Sequence, residues 1–353
     1  MALLKGTPAD HGFSFPPEWH RHRGTWISWP RPEGISFPGR YHEAIEDVAR
    51  VVAAIASSED VHLNVANANY ERLVREFLRA RGVPARRMVF HHIPTNECWT
   101  RDHGPAFVLR RRQRRTEAAI VDWGYNAWGG KYPPFDADDQ VPTRVGEALG
   151  LPVFSPGIVM EGGAVDFNGE GTVLTTTSCL LNRNRNPGLS KAEIERYLRQ
   201  YYGQSHVVWL GDSIEGDDTD GHIDDLARFL DPRTVAIGVE DDRADPNFTV
   251  LQDNHHRLAR ARDQAGRPFD IVELPMPRPV VIDGQRVPAT YLNFYFVNGA
   301  LLVPVFGQQA RDRKAIETLQ RRLPNRKVVG VNCRTLIWGL GAIHCLTQQQ
   351  PEF

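Results

Sequence analysis

The C-terminal stretch of the sequence, LGAIHCLTQQQP, places a cysteine directly after a histidine. Cys345 follows two glycines and precedes a dense run of polar residues, so its neighbours in sequence are not those of a typical apolar core segment. Taken alone, such a cysteine is more often a small buried residue than a nucleophile. Three further stretches place acidic side chains or a histidine beside glycines: ECWTRDHGP (97–105), MEGGAVDF (160–167) and DDTDGHIDDLARF (217–229). A chemical role for Cys345 depends on whether these stretches meet in the fold.

The spacing of these polar positions is regular. Asp102, Glu161 and His222 recur at intervals of about 60 residues, and Cys345 follows after about two such intervals. The position missing from the series falls near Asn293, in YLNFYF. One polar residue per repeat, at equivalent places, is how a circular repeat fold directs several side chains into one central cavity.

The residue types themselves indicate a reaction. His222 and Asp224 are two residues apart, and in an extended segment such residues share one face. A thiol, a histidine and at least two carboxylates that converge are suited to attack on a planar cationic carbon. A guanidinium meets that description, because two carboxylates each accept parallel hydrogen bonds from its N–H fork. The pairing also localises positive charge and makes the central carbon easier for a thiolate to attack.

Two other classes of function fit parts of the same pattern. A metal-dependent hydrolase would use the cluster around His222 and Asp224 to bind zinc or manganese, and a chelator would abolish its activity. A calcium loop is disfavoured, because the carboxylate spacing fails after Gly221. A non-catalytic protein that binds cationic ligands would keep the carboxylates and need no reactive thiol. Neither alternative requires Cys345 in its present context.

The composition bounds the function further. Of the 353 residues, 41% are hydrophobic, and the formal net charge of −1 gives no general attraction to nucleic acid or to an anionic membrane. The apolar runs are far shorter than the ~20 residues of a membrane span, and the start MALLKGTPAD does not read as a signal peptide. The four cysteines lack the spacing of a zinc site. We therefore expect a cytoplasmic protein with reduced thiols and with neither nucleic-acid nor membrane partners.

Strand-like and helix-like segments alternate along the chain in units of similar plan. One unit runs from a predicted hairpin at Asn168-Gly169, through a helix with a capping box at Ser190 and Glu193 and a stop at Gly203, to the strand HVVWLG. The same order recurs in segments beginning at WISWP, LARFLD and LNFYFV. The basic run LRRRQRR is expected to be a solvated hairpin tip, because no aromatic residues interleave it. Units of this kind predict an α/β fold with short sheets in a stacked or circular repeat.

Several long motifs resemble those of the agmatine deiminase family, which includes the bacterial peptidylarginine deiminases. These motifs are CWTRDHGP, AWGGKYPPFDADDQVP, EGGAVDFNGEGTVLTT, LLNRNRNP, DDTDGHIDDLARF, YLNFYF and GAIHCLTQQQP. The resemblance covers nearly the whole chain, from Glu18 to the C-terminus. It implies a pentein, a five-bladed α/β propeller with pseudo-fivefold ββαβ repeats, as a single catalytic domain over residues 1–353. It also implies a hydrolase that needs no metal or organic cofactor.

The resemblance implies a role for each matching residue. The roles are nucleophile for Cys345, acid/base for His222, guanidinium-binding carboxylates for Asp102 and Asp224, orientation of His222 for Glu161, and a pocket wall for Trp99. In the implied mechanism the thiolate attacks the guanidinium carbon, ammonia leaves, and water hydrolyses the covalent thiouronium to a ureido product. The thiolate would form through charged His222 and the bound cationic substrate.

Agmatine is the predicted substrate, with N-carbamoylputrescine and ammonia as products. The distal amine of agmatine needs an acidic partner, and the loop FDADDQ offers Asp136 and Asp138 for it. Asn293 is expected to contact the substrate as well. Arginine and peptidyl-arginine are the alternative substrates, and free arginine would require a cation such as Lys131 or Arg183 for its carboxylate.

Three residues depart from the pattern of plain agmatine deiminases. Arg23 stands where an acid is usual, and Asp220 and Asp225 stand where asparagines are usual. The departures bear on which guanidine is the substrate and leave the chemistry intact. The oligomeric state, with a homodimer as one option, stays open at this point.

Overall fold

The computed structural model describes residues 5–353, so the apolar start of the N-terminus (1–4) lies outside the described residues. The strands in chain order are β1 (His22–Ser28), β2 (Asp60–Asn64), β3 (Met88–His91), β4 (Ala106–Arg112), β5 (Arg115–Val121), β6 (Val153–Phe154), β7 (Asp166–Phe167), β8 (Thr172–Thr176), β9 (His206–Leu210), β10 (Ala227–Phe229), β11 (Thr234–Val239), β12 (Asp270–Pro275), β13 (Val280–Ile282), β14 (Gln285–Val287), β15 (Tyr295–Val297), β16 (Ala300–Val305), β17 (Lys327–Asn332) and β18 (Gln348–Pro351). The helices are α1 (Tyr41–Ala56), α2 (Ala68–Arg79), α3 (Thr100–His103), α4 (Ala127–Gly130), α5 (Asp136–Asp139), α6 (Val141–Leu149), α7 (Thr177–Leu180), α8 (Lys191–Tyr202), α9 (Asn247–Arg260), α10 (Gln309–Arg322) and α11 (Ile343–Leu346).

Five sheets within the described residues follow one plan. Each contains an antiparallel pair followed by a parallel neighbour, in the orders β4-β5-β6, β7-β8-β9, β10-β11-β12, β15-β16-β17 and β18-β1-β2-β3. A helix precedes the parallel strand each time, as α6, α8, α9, α10 and α1 respectively, because parallel neighbours need a long crossover. Strands β13 and β14 pair only with each other and form a separate antiparallel hairpin. The α/β class and the repeated units predicted from the sequence are confirmed.

The two ends of the chain meet in one sheet. Strand β1 pairs antiparallel with β18, with Thr25 opposite Gln349 and Trp26 opposite Gln348. The indole Nε1 of Trp26 also donates to Oε1 of Gln350 at 2.9 Å. This pairing gives each terminal strand a partner that it would otherwise lack as an exposed edge. It also fixes the segment immediately after Cys345, since β18 begins three residues later.

Local sequence signals account for most boundaries. The hairpin β7-β8 turns at Asn168 and Gly169, where Gly169 has a φ of 76°. Helix α8 begins with the capping box of Ser190 and Glu193. Strands β4 and β5 pair as far as Arg112 and Arg115, so the basic run forms a hairpin tip as predicted.

Helix α9 lies earlier in the chain than the helix-like pattern NHHRLARARDQAG (254–266) predicts. Helix α9 ends at Arg260, although the helix-like pattern continues to Gly266. The carboxylate of Asp263 accepts hydrogen bonds from the backbone N–H groups of Ala265 and Arg267, at 2.9 and 2.8 Å. Such side-chain acceptors give the backbone an alternative to helical bonding and stabilise a loop instead.

The core lies between the helices and the sheets. In α1, the side chains of Val48, Val52 and Ile55 are fully buried and belong to the same apolar cluster as Leu63 of β2. Burial of each such side chain stabilises the fold by roughly 1.5–3 kcal/mol. Among residues 5–353, every helix is too short or too polar to cross a bilayer.

The segments between the sheets bring the polar motifs together. Helix α3 carries Asp102 and contacts both α11, which carries Cys345, and the 3₁₀ turn Gly162–Ala164, which follows Glu161. That turn in turn contacts the 3₁₀ turn Ile223–Asp225. The four motifs are thus neighbours in space, although they are far apart in sequence.

Candidate active site

A cavity of about 160 Å³ opens beside Cys345. Its walls include three of the predicted site residues, Trp99, Asp102 and Cys345. Two glycines let the Trp99 ring close against the cysteine segment: a methyl group on Gly339 or on Gly341 would lie only 2.6 Å from a ring carbon of Trp99. The glycines before the cysteine therefore have a steric reason, since real side-chain carbons do not approach so closely.

The Cys345 thiol sits on a short turn held by Asn293. The side-chain oxygen of Asn293 accepts from the backbone N–H groups of His344 and Cys345, at 3.0 and 3.3 Å. Its Nδ2 donates to the Cys345 Sγ at 3.0 Å, and Sγ lies 3.6 Å from Oδ2 of Asp224. Burial raises the pKa of the thiol well above its usual range, and the neighbouring carboxylates of Asp224, Asp225 and Asp102 raise it further. In the unliganded site Cys345 is therefore a neutral thiol.

His222 and two carboxylates converge above Gly163. A methyl group added to Gly163 would lie 2.5 Å from Nδ1 of His222, 2.7 Å from Oδ1 of Asp102 and 3.2 Å from Oδ2 of Asp224. Nδ1 of His222 is 3.6 Å from Oδ1 of Asp102. Residue 163 must therefore be glycine, because any side chain would displace the groups that the motifs bring together.

Burial and charge act in opposite directions on His222. Burial of the ring lowers its pKa, but Asp102, Cys179 and Glu161 outweigh burial and raise the pKa of His222 well above its usual value. Burial also raises the pKa of Asp102 to about 6, with Asp224 and Glu161 adding to the rise and His222 opposing it. The site thus favours a charged imidazole beside carboxylates that a cation would stabilise.

Glu161 lies close to both His222 and Cys179. Its carboxylate, the Cys179 thiol and a ring nitrogen of His222 lie within 4.8 Å of one another. Oε1 of Glu161 accepts from Nε of Arg185 at 2.6 Å, and Arg185 also reaches Asp220 at 2.5 Å. Glu161 is therefore a fixed carboxylate next to the imidazole, as an orienting group requires.

Asp102 and Asp224 are each held by specific donors. Oδ2 of Asp102 accepts from the indole Nε1 of Trp128 at 2.9 Å, and its Oδ1 accepts from the backbone N–H of Gly163 at 3.0 Å. Oδ2 of Asp224 accepts from Nδ1 of His344 at 2.6 Å. Oδ1 of Asp224 is buried and has no hydrogen-bond partner within residues 5–353. The carboxylate is thus turned so that one oxygen is occupied and the other is not.

Comparison with known proteins shows the family to which the chain belongs. The profile of the family described as Porphyromonas-type peptidyl-arginine deiminase matches residues 14–351. An agmatine deiminase of Pseudomonas fluorescens is 38% identical to the chain over 99% of both sequences. The chain belongs to the Porphyromonas-type peptidyl-arginine deiminase family. The family resemblance seen in the motifs is confirmed.

Solved structures of agmatine deiminases match this member of the deiminase family along its whole length. The Enterococcus faecalis agmatine deiminase has a TM-score of 0.90 and 32% identity, covering 100% of both chains. A Campylobacter jejuni agmatine deiminase with substrate bound has a TM-score of 0.87 and 30% identity, covering 100% of this chain and 99% of the other. The mixed α/β fold is therefore that of known agmatine deiminases.

The prediction that the segment around His222 is extended is wrong. Only His222 is extended, and Asp224 lies in the 3₁₀ turn Ile223–Asp225. The carboxylate of Asp217 accepts from the backbone N–H groups of Thr219 and Gly221, at 2.7 and 2.9 Å, and winds the segment into tight turns. The two side chains nevertheless reach the same place, because the turn packs against Gly163.

Asp136 and Asp138 do not line the cavity, in contrast to the prediction. Asp138 is buried, and its carboxylate accepts from the backbone N–H groups of Asn96 and Glu97, at 2.7 and 3.2 Å. Burial raises the pKa of Asp138 to about 8, while those amides oppose the rise. Asp136 is exposed on α5. Asp138 thus supports the loop that carries the motif at 97–105, and neither aspartate borders the cavity.

Lys131, Arg183 and Asn293 do not line the cavity, in contrast to their predicted roles in substrate binding. Nζ of Lys131 donates to the carboxylates of Asp218 and Asp220, at 3.2 and 2.9 Å. Arg183 and Arg23 are exposed and do not border the cavity. Asn293 lies behind the cysteine turn, where it touches the thiol and does not form part of the cavity wall.

The arrangement of the potential metal ligands does not favour the metal-dependent hydrolase. Within residues 5–353, His222 and Asp224 do not belong to one group of three potential ligand atoms that lie within 4.8 Å of one another. The three groups that do approach one another are Glu161, Cys179 and His222, and the guanidinium of Arg185 occupies one oxygen of Glu161. A cation there would meet an adjacent positive charge.

Sequence reasoning missed several residues of the site. Glu97, Trp128 and Asp218 line the cavity, although they stand inside motifs that were recognised as a whole. His344 and Glu18 lie beneath the site and contact each other at 2.8 Å. No local pattern marked them, since their partners come from distant parts of the chain.

Proposed function

We propose that this chain hydrolyses agmatine to N-carbamoylputrescine and ammonia, with Cys345 forming a covalent thiouronium intermediate. The observation that carries the proposal is the convergence of a thiol, a histidine and two buried carboxylates beside one cavity. The full-length match to agmatine deiminases supports the same reaction.

Binding of the guanidinium prepares the nucleophile. Asp102 and Asp224 accept hydrogen bonds from the N–H fork of the substrate, and Trp99 forms a wall of its pocket. The carboxylates that raise the thiol pKa in the free site are then neutralised by the bound cation. The Cys345 proton leaves to solvent as the substrate enters, and the charged His222 stabilises the resulting thiolate.

The reaction then proceeds in two halves. The thiolate forms a C–S bond with the guanidinium carbon, and the tetrahedral adduct lies between Asp102 and Asp224. His222 gives its proton to the departing nitrogen, the C–N bond breaks, and ammonia leaves a cationic thiouronium on Cys345. Neutral His222 next removes a proton from water, and the hydroxide adds to the same carbon. The C–S bond then breaks as the hydroxyl proton passes to the leaving sulfur, which releases the ureido product and restores the Cys345 thiol. Glu161 orients the imidazole in both halves.

The outer part of the cavity accounts for the choice of agmatine. Glu97 and Asp218 line the cavity, and Lys131 pairs with Asp218 and Asp220. A distal amine gains from these carboxylates, whereas the α-carboxylate of free arginine meets like charge. A difference of ~1.4 kcal/mol is tenfold in specificity, and a like charge in a partly desolvated pocket exceeds it. Glu97 and Asp218 thus replace Asp136 and Asp138 as the acidic partners of the amine.

The proposal extends to the domain architecture of the protein and to its cellular location. The five sheets of one plan support a five-bladed α/β propeller that forms a single catalytic domain over residues 1–353. Four buried free cysteines support a reducing, cytoplasmic location. The partner is then a small cationic guanidino compound.

Assays with three substrates test this function. Ammonia and ureido product would be measured with agmatine, arginine and a peptide ending in arginine. We expect kcat/KM for agmatine to exceed the other two values by about 100-fold or more. Faster turnover of arginine or of the peptide would overturn the substrate assignment, and no product with any of the three would overturn the deiminase function.

A further inference from the structure

The side chain of His344 lies between two buried carboxylates. Its Nδ1 is 2.6 Å from Oδ2 of Asp224, and its Nε2 is 2.8 Å from Oε2 of Glu18. A carboxylate oxygen can only accept, so each ring nitrogen must carry a proton for both contacts to be hydrogen bonds. The geometry therefore requires the doubly protonated, positively charged imidazolium form of His344.

Glu18 is itself anchored by several donors. Its Oε2 accepts from Arg228 at 2.9 Å and from Arg101 at 3.3 Å, and its Oε1 accepts from the backbone N–H of Phe296 at 2.9 Å. Burial raises the pKa of Glu18, but Arg228, His344 and Arg101 outweigh burial and hold the pKa far below its usual value. Glu18 is a permanent carboxylate, so its contact with His344 persists across the physiological pH range.

The charges around His344 balance only when it is protonated. The buried groups of this network are the carboxylates of Glu18, Asp166 and Asp224, the guanidiniums of Arg101 and Arg228, and the imidazole of His344. Arg228 joins Glu18 to Asp166, at 2.9 and 3.0 Å, and Arg101 donates to the backbone oxygen of His344 at 3.4 Å. Three negative charges face two permanent positive charges, and a buried unpaired charge is strongly destabilising. The imidazolium supplies the third positive charge.

We propose that His344 is a positioning residue of the deiminase, an imidazolium that turns the Asp224 carboxylate toward the guanidinium and ties it through Glu18 to the segment before β1. The role rests on the proposed function, because it assigns Asp224 to the guanidinium. His344 and Asn293 occupy Oδ2 of Asp224, so Oδ1 is left to accept from the substrate. His344 thus acts through Asp224 and does not touch the reacting atoms.

The role has a specific consequence for binding at low pH. Burial raises the pKa of Asp224, but the hydrogen bond and charge of His344 outweigh burial and lower the pKa below its usual value. A neutral side chain at position 344 would let the pKa of Asp224 rise. Guanidinium binding needs the ionised carboxylate, so the pH below which binding is lost would move upward.

Ligand binding in a Cys345→Ala background isolates this effect from chemistry. His344→Asn keeps a donor near Asp224 and removes the charge, and Glu18→Gln removes the opposing charge. We expect His344→Asn to weaken agmatine binding about tenfold or more at pH 6 and less at pH 8.5, by calorimetry. The double variant His344→Asn/Glu18→Gln should bind agmatine more tightly than the summed losses of binding free energy in the single variants predict, because removing both charges restores the charge balance of the buried network. His62→Asn, which replaces a buried histidine outside the site, is the matched control.

A spectroscopic measurement does not require the His344 and Glu18 variants to fold. In protein with ¹⁵N-labelled histidine and the Cys345→Ala change, we expect both ring nitrogens of His344 to carry protons, as its two carboxylate contacts require. A neutral tautomer at pH 7 would overturn the proposal, as would His344→Asn binding agmatine with the pH profile of the His62→Asn control. If the parent protein fails to bind agmatine, the proposed function falls while the nitrogen signals still decide the charge of His344.

Discussion

The indole Nε1 of Trp128 donates a 2.9 Å hydrogen bond to Oδ2 of Asp102 in the interior of the candidate active site. Trp128 belongs to α4, where its φ of 54° lies in the left-handed region. Such a backbone conformation is strained for a tryptophan, and strained residues persist where surrounding contacts fix them. The bond lowers the pKa of a carboxylate that burial raises to about 6.

Replacement of Trp128 should therefore alter the pH profile. In Trp128→Phe the Asp102 carboxylate loses a donor, so its pKa rises and the ionised form that binds a guanidinium is lost at higher pH. We expect kcat/KM for agmatine to fall about tenfold at pH 6 and by less at pH 8.5, since one hydrogen bond to a charged group contributes about 1.5–3 kcal/mol. Trp123→Phe is the control, because the Trp123 Nε1 has no hydrogen-bond partner within residues 5–353. Parallel profiles for the two variants would contradict this reasoning.

Reactivity of Cys345 should depend on the charge of the reagent. The raised thiol pKa predicts slow alkylation by neutral iodoacetamide at pH 7, with a rate that increases at higher pH. This outcome reverses the simpler expectation that a catalytic thiol is alkylated rapidly in the free protein. A cationic haloacetamidine should react at least tenfold faster than iodoacetamide, because it binds beside Asp102 and Asp224 as the substrate would.

Variants of the cavity residues and of the other cysteines serve as controls for the faster reaction of the cationic reagent. Asp224→Asn should reduce the ratio of the two alkylation rates. Cys345→Ser should abolish labelling and should lower turnover by at least about 10³-fold. Cys98→Ala and Cys333→Ala should leave kcat unchanged, since both thiols are buried away from the cavity. Mass spectrometry of the labelled peptides checks the site, and equal rates for the two reagents would contradict the prediction.

The distal amine of agmatine should depend on Asp218. In Asp218→Asn we expect KM for agmatine to rise roughly three- to tenfold, because the Asp218 side chain is 37% exposed and water screens its charge. KM for n-butylguanidine, which lacks the amine, should change little. Asp136→Asn is the matched control, since Asp136 is exposed outside the cavity. Equal changes with both substrates would remove Asp218 from the amine subsite.

Asp225 should make the fold less stable as pH rises. Burial raises its pKa far above the usual range, and Asp224 and Asp217 raise it further. The folded protein therefore holds a proton that the unfolded chain releases above a pKa of about 3.9, so stability falls with increasing pH. In Asp225→Asn the amide oxygen can accept from Asn293 as Oδ1 does at 3.1 Å, and nothing titrates.

Thermal unfolding at several pH values measures this effect. We expect the melting temperature of Asp225→Asn to exceed that of the natural protein by a few °C at pH 8, with a smaller margin at pH 5. Asp136→Asn serves again as the control for a change of net charge. A margin that does not grow with pH would show that Asp225 is ionised in the folded protein.

The sequence by itself determined the plan of the fold and marked the residues that we propose as reacting groups. Alternation of strand and helix patterns, with caps such as Ser190 and Glu193, depends on neighbours within a few residues and is readable locally. The motifs around Asp102, His222 and Cys345 likewise carry their chemistry in their residue types. The pairing of β1 with β18 was also predictable, because two unpaired terminal edges have a simple solution in each other.

Tertiary structure decided what each charged side chain faces. Asp138 lies in an acidic loop that matched the need of an amine, yet it accepts from the backbone of Asn96 and Glu97 instead. Glu18 and His344 meet across 326 positions of sequence, and neither shows a motif for the contact. Burial and long-range charge set the state of the thiol, of Asp224 and of His344. Those quantities depend on which groups the fold brings together and on how much water it removes, and no local pattern of residues contains them.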